Sequence, residues 1–191
     1  MDSNLSKWEG PNPWLGLQTY QEGNRLWGRD TEVSTLSDII CNNLAIVVFG
    51  KSGIGKSSLI HAGISPEIRN RGLFPINIRL EHNTNISYTS QIKNAVKNVL
   101  TLDDKLGESF PSIGLWDFFH RHVFYDKIEH RETSPVIFID QFEEIYTLAD
   151  ADHKNFAQEL FEEFADLLNN KKPDKLIKYE TEIAISQTSK V

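Results

Sequence analysis

The segment from Leu44 to Ser58, LAIVVFGKSGIGKSS, constrains the fold more than any other part of the chain. Its six leading apolar residues end at a glycine, as suits a strand buried on both faces. The turn that follows fits G-x-x-x-x-G-K-[ST] with Gly50, Gly55, Lys56 and Ser57. Gly50, Gly53 and Gly55 permit backbone conformations closed to larger residues, so that successive N–H groups, including those of Lys51, Ser52, Ile54 and Ser58, can converge on phosphate oxygens. Lys56 brings a cation to the β- and γ-phosphates, and the Ser57 hydroxyl can ligate Mg²⁺. A helix predicted from Lys56 to about Asn70 would aim its positive N-terminal end at the same anion. Strand, phosphate loop and helix in this order call for an α/β sheet.

The rest of the chain keeps the alternation. Asp30 is placed to cap a helix reaching about Asn42, with Val33, Leu36, Ile39 and Ile40 on one side. FPINIRL (Phe74 to Leu80) reads as a strand and YTSQIKNAVKNVL as a helix. Residues 102 to 114 read as a loop, LWDFFHRHVFYDKIEH as a helix, and Val136 to Ile139 as a strand. HKNFAQELFEEFADLLNN is helical through Phe156, Leu160 and Phe164, and IKYETEIAI (Ile177 to Ile185) is the last strand candidate. The expected architecture is therefore a three-layer α/β core, a mostly parallel sheet with helices on both faces. Residues 1 to 30, which hold three of the four tryptophans, read as a strap that pins its aromatics into the surface of a core formed by residues 31 to 191, with an independent binding element as the other reading.

With 191 residues and a single cysteine, Cys41, the chain can build one substantial core and no internal disulfide, which fits a reducing compartment. A formal charge of −7 argues against a general nucleic-acid or anionic-membrane binder. No stretch has the length to span a bilayer and MDSNLSKWEG has no apolar signal region, so a cytoplasmic protein is expected.

A phosphate loop needs an acid at the end of a neighbouring apolar strand to complete the Mg²⁺ shell, and Asp140 after VIFI meets that requirement. Glu143 and Glu144, just beyond, are the candidates for orienting or activating the attacking water. The same two glutamates would also favour a helix N-terminus without any catalytic role. His120 and His122 are two apart and would not face one another on a helix, so they read as packed or solvated side chains rather than a metal pair.

The phosphate loop in GKSGIGKSSLIHAGISPEIRNRG, the acidic stretch VIFIDQFEEIYTL and the upstream NPWLGLQTYQEGNRLWGRDTEVSTL together resemble the STAND class of signalling NTPases, and within it the bacterial novel STAND branch. The resemblance rests on Pro13, Trp14, Gly16 and Leu17, on Gly28, Arg29 and Asp30, and on the two motifs, in the expected order over about residues 11 to 148. It implies a RecA-like core of the additional-strand type, with one strand between the phosphate-loop strand and the Asp140 strand. It also implies ATP as the nucleotide, with Arg29 near the adenine; a surface ion pair is the other role open to Arg29. A guanine-specific Asn-Lys-x-Asp is absent, NKKPD (Asn170 to Asp174) missing it by one position. In the related NACHT domains the acidic box reads Asp-Gly-x-Asp-Glu, which ranks Glu144 above Glu143 as the catalytic position.

Members of the class join such a module to a sensor and an effector and act as ligand-triggered switches, some in defence against phage. The arginine expected soon after the last strand is replaced here by Ser186, Gln187 and Thr188. The expectation is a core incomplete at its C-terminal end, self-associating or joining a sensor or effector partner, binding ATP or ADP and hydrolysing slowly at most. A stand-alone ATPase or phosphotransferase, and a binding module without turnover, are the competing functions.

Overall fold

The computed structural model describes residues 18–104, 114–147 and 151–188. The chain divides into two compact units, Met1–Asn70 and Arg71–Val191.

In the first unit, α1 (Asp30–Asn42) is followed by α2 (Lys56–Ser58), a π-helical turn over Leu59–Ile64 and α3 (Ser65–Asn70), so that residues 56–70 form one helical run as predicted. Its apolar side is built from Leu59, Ile64 and Ile68, all buried. Gly63 lies where α1 crosses closely: a Cβ there would come within 2.5 Å of Val33 Cγ2 and 3.1 Å of Leu26 Cδ1. Arg29, not Asp30, is the N-cap of α1; Asp30 and Glu32 sit in its first turn, where their charge opposes the helix dipole. Trp27 is 63% exposed, with the Arg25 guanidinium 3.8 Å from its ring centre. Residues 1–17 of the proposed strap, including Pro13, Trp14, Gly16 and Leu17, lie outside the described residues.

The predicted strand Leu44–Phe49 does not form. These residues are irregular, and Leu44, Val47 and Phe49 are 82%, 83% and 89% exposed. A strand is stable only with neighbours to take its N–H and C=O groups, and among the described residues no strand pairs with this segment.

The second unit carries a four-stranded sheet in the order β1-β4-β3-β2, with β1 at Leu73–Arg79, β2 at Leu100–Asp104, β3 at His122–Asp126 and β4 at Glu132–Asp140. β1 and β4 run parallel from Leu73↔Ser134 to Arg79↔Asp140. The other two pairs are antiparallel, so the sheet is mixed rather than mostly parallel. β3 meets β4 only at Glu132 and Thr133, which leaves the second edge of β4 from Ser134 onward without a ladder partner among the described residues.

Two further expectations change here. The predicted helix from Leu115 stops at Arg121 (α5, Leu115–Arg121), and His122 to Asp126 becomes β3. The run HVFYD is β-branched and aromatic, a weak helix former, and it pairs with residues 100–104, which span the expected end of the helix at Leu100 and the expected loop from residue 102. Ile177 to Ile185, expected as a strand, lies within α8 (Asp174–Thr188). A helix satisfies its own backbone, whereas a strand here would need an edge to join. Leu176 N–H donates to the Pro173 carbonyl at 3.0 Å, and Leu176 itself is buried.

Helices α4 (Tyr88–Val99) and α7 (Ala151–Leu168) follow their apolar period. Ser87 caps α4 by accepting from Ser90 N–H at 3.3 Å, a contact worth about 1 kcal/mol. Tyr88, Ile92 and Val96, spaced by four, are completely or almost completely buried on one face. Around them Leu80, Leu115, Ile145 and Leu160 form one core cluster, and Ile76, Leu100, Phe118 and Phe124 another. Among the described residues no helix is long and apolar enough to cross a membrane.

Glu163 on α7 supplies the N-terminal cap of α5 that Gly114 lacks: its Oε2 accepts from Leu115 N–H at 2.7 Å. Burial pushes the Glu163 carboxyl up from its ordinary value, against the opposing pull of that hydrogen bond and of Lys93. Burial likewise pushes the Lys93 ammonium down, partly offset by Glu163 and Asp117. β4 ends in a second constrained feature: Gln141, directly after Asp140, takes a left-handed conformation with φ 54°.

A raised folded-state value means that the native protein holds the Glu163 proton more tightly than the unfolded chain does. Stability from this group is therefore full below the ordinary value of 4.5 and declines as pH rises through the raised one. The Glu163→Gln variant, which keeps an acceptor for Leu115, should lose this slope: its melting temperature should match wild type in acid and exceed it near neutrality. At Gln141, substitution by glycine should change stability by no more than about 1 kcal/mol, because relief of left-handed strain offsets added chain entropy. Gln141→Val should cost about 1–2 kcal/mol, since a β-branched residue tolerates that conformation poorly, and urea unfolding of the two variants checks both values.

Candidate functional site

The candidate residues fall into two groups, one in each unit. In the first, Gly53 and Gly55 hold φ angles of 80° and 88°, where a side chain would be strained. At Gly50 a Cβ would fall 2.5 Å from Ile54 Cδ1, the far end of an exposed side chain that can shift aside. Gly55 caps α2 in the left-handed region, and Leu59 N–H returns to its carbonyl at 2.8 Å, so the helix starts directly at Lys56. Lys51, Ser52 and Ile54 lie exposed on the loop, and Ser57 is half-buried at the helix start.

The Lys56 ammonium folds over the loop and donates to the Gly50 carbonyl at 3.0 Å and the Lys51 carbonyl at 3.3 Å. It is thereby centred on the turn whose N–H groups would receive phosphate. Ser58 is used structurally: its hydroxyl accepts from Tyr20 N–H at 3.1 Å and ties the upstream segment to the loop. Arg29 reaches the same loop, donating to the Ile54 carbonyl at 3.2 Å while its other terminal nitrogen lies 3.5 Å from Glu32. Arg29 thus lies beside the glycine-rich loop and in an ion pair.

The second group is built at the C-terminal end of β4, where ligand sites form in sheets with parallel strands. Asp140 is exposed at the last position of the strand, and its Oδ1 accepts from Gln141 N–H at 3.0 Å. The left-handed turn at Gln141 then reverses the chain, and Glu144 N–H donates to the Gln141 carbonyl at 2.9 Å to open the short helix α6 (Glu144–Thr147). The glycine found at this position in the NACHT box would adopt that conformation without strain.

The turn separates the two glutamates. Glu143 is exposed, whereas Ile145 is buried and draws Glu144 against the sheet. Glu144 accepts from Arg79 on both oxygens, at 3.1 Å from Nε and 2.6 Å from Nη2. His82 Nε2 lies 3.7 Å from the same carboxylate, and His82 Nδ1 is 2.7 Å from the hydroxyl of the buried Tyr88. Sequence reasoning did not single out Arg79 or His82. A signal for Arg79 existed: it sits at the C-terminal end of the predicted strand FPINIRL, the same end of the sheet as Asp140.

The two histidines set aside in the sequence are engaged locally. His120 Nδ1 lies 2.8 Å from the Trp116 carbonyl and its Nε2 2.9 Å from Asn170 Oδ1, and His122 Nδ1 lies 2.8 Å from the Phe118 carbonyl. Among the described residues no cluster of three or more His, Cys, Asp or Glu side chains could hold a metal by itself. Mg²⁺ at a phosphate site takes only one or two protein oxygens and fills its shell with phosphate and water. The donor types at hand, the Ser57 hydroxyl and the Asp140 carboxylate, fit that chemistry.

No curated protein and no solved structure matches this chain. The model of the family described as Novel STAND NTPase 1 matches residues 13–178, a span that contains the phosphate loop, Arg79 and the acidic turn. That span is most of the 191 residues, and with it comes the expectation of a nucleotide site: the chain belongs to the Novel STAND NTPase 1 family.

Proposed function

We propose that this chain is an ATP- and Mg²⁺-binding switch module whose intrinsic hydrolysis is slow. The observation that carries the reading is the phosphate loop. Two glycines in left-handed conformations, a helix starting at Lys56 and an ammonium centred on the loop make a cradle of N–H donors and positive charge suited to a polyphosphate. Family membership supports nucleotide binding by the same segment.

In this reading the loop backbone and Lys56 hold the β- and γ-phosphates, and Arg29 flanks the nucleotide. Mg²⁺, when bound, neutralises charge on the phosphates, and Ser57 and Asp140 are the residues that would hold it. Glu144 orients and deprotonates the attacking water, and the exposed Glu143 is the weaker candidate for that role. The fold that serves this chemistry is the three-layer P-loop core, completed when Leu44–Phe49 takes its place as a strand. Slow turnover suits a protein that signals through its nucleotide state, alone or with a sensor or effector partner, and defence against phage is one setting for such a switch.

A module that binds without turnover is the second reading. It is favoured by the Arg79–Glu144 pair, which occupies both oxygens that a general base would use.

Titration calorimetry with Mg·ATP should show binding by the wild-type chain, and Lys56→Ala should weaken it about 10- to 100-fold, the worth of a charge-assisted contact. A folded wild-type chain that binds no ATP would refute the proposal. Glu144→Gln should retain binding but lower phosphate release by about 100-fold or more, the usual contribution of a general base. Turnover unchanged by Glu144→Gln would remove that residue from its role.

A further inference from the structure

We propose that Arg79 is a brake on hydrolysis, a clamp that holds Glu144 away from water. This inference rests on the reading of Glu144 as the base and adds a residue that acts through it. A carboxylate works as a base only through a lone pair directed at its proton donor. Here both Glu144 oxygens accept from one guanidinium, the fork-to-fork arrangement that fixes a carboxylate most firmly. His82 stands on the Oε2 side at 3.7 Å, itself held through Nδ1 by the fully buried Tyr88.

The clamp is set by the sheet. Arg79 is the last residue of β1 and lies opposite Asp140 in the parallel register, so its side chain leaves the sheet where the turn delivers Glu144. A slip of one residue would send the guanidinium to the other face. The two partners differ in how they are held: the Glu144 side chain is 19% exposed and the Arg79 side chain 59%. The half-exposed arginine is therefore the partner able to swing away, into a cavity of about 390 Å³ lined by Arg79, Leu80, Glu81, His82, Asn83 and Glu144. Glu81, also on that wall, offers a second carboxylate toward which the guanidinium could turn.

Because the Arg79 side of the pair is 59% exposed, the pair is a modest restraint, and its release should raise turnover by a modest factor. The test is steady-state phosphate release from Mg·ATP by the full chain and four variants: Arg79→Ala, Arg79→Lys, Glu144→Gln and Arg79→Ala/Glu144→Gln. The clamp predicts that Arg79→Ala raises kcat about three- to tenfold with KM within about twofold. Arg79→Lys, which can offer only a point charge, should fall between wild type and alanine. Glu144→Gln should be slow in both backgrounds. A general loss of structure would lower kcat and would not be rescued in that graded order.

Arg79→Ala turnover at or below wild type overturns the clamp, and it leaves the base assignment standing provided Glu144→Gln is still slow. Raised turnover that persists in Arg79→Ala/Glu144→Gln also overturns it, because the group released would not be Glu144. If neither wild type nor Arg79→Ala hydrolyses ATP, the brake is likewise refuted.

Discussion

The parallel ladder between β1 and β4 is the constraint on which the acidic turn depends. Seven residues on each strand pair in one register, from Leu73↔Ser134 to Arg79↔Asp140. Because side chains alternate across a strand, that register decides which groups stand at the C-terminal edge and on which face. It brings Arg79 level with Asp140, and the turn at Gln141 then returns Glu144 onto the guanidinium. Ile145, buried directly after Glu144, anchors that turn in the core cluster of Leu80, Tyr88 and Leu160. Core packing and the chemistry of the edge are thus joined through two adjacent residues, one apolar and one acidic.

The phosphate loop depends on different physics. Its geometry is local: glycines at positive φ, a helix that begins at Lys56, and hydrogen bonds that close within a few residues. It therefore forms although the apolar run before it, Leu44 to Phe49, is exposed and unpaired among the described residues. That run therefore lacks both hydrogen-bond partners and apolar cover among the described residues.

The same distinction explains what could be read from the sequence. Features set by neighbouring residues were legible: the glycine turn with Gly53 and Gly55 at positive φ, the helical run over 56–70, α4 with its spacing of Tyr88, Ile92 and Val96, and the end of β4 at Asp140. Features set by distant partners were not. His122 to Asp126 reads as a continuation of α5 until residues 100–104 are present to pair with it. Ile177 to Ile185 has the composition of a strand, yet it supplies its own hydrogen bonds as a helix. Arg79 illustrates the limit at the site itself, because its contact with Glu144 spans 65 residues of chain and no local pattern announces it.

The function proposed above has the glycine-rich loop and the acidic turn serve one nucleotide. Hydrogen–deuterium exchange of the full chain, with and without Mg·ATP, tests this most directly. The account predicts that nucleotide slows exchange in two separate segments, residues 44–58 and residues 136–147. Protection confined to the loop, with exchange unchanged from 136 to 147, would contradict it.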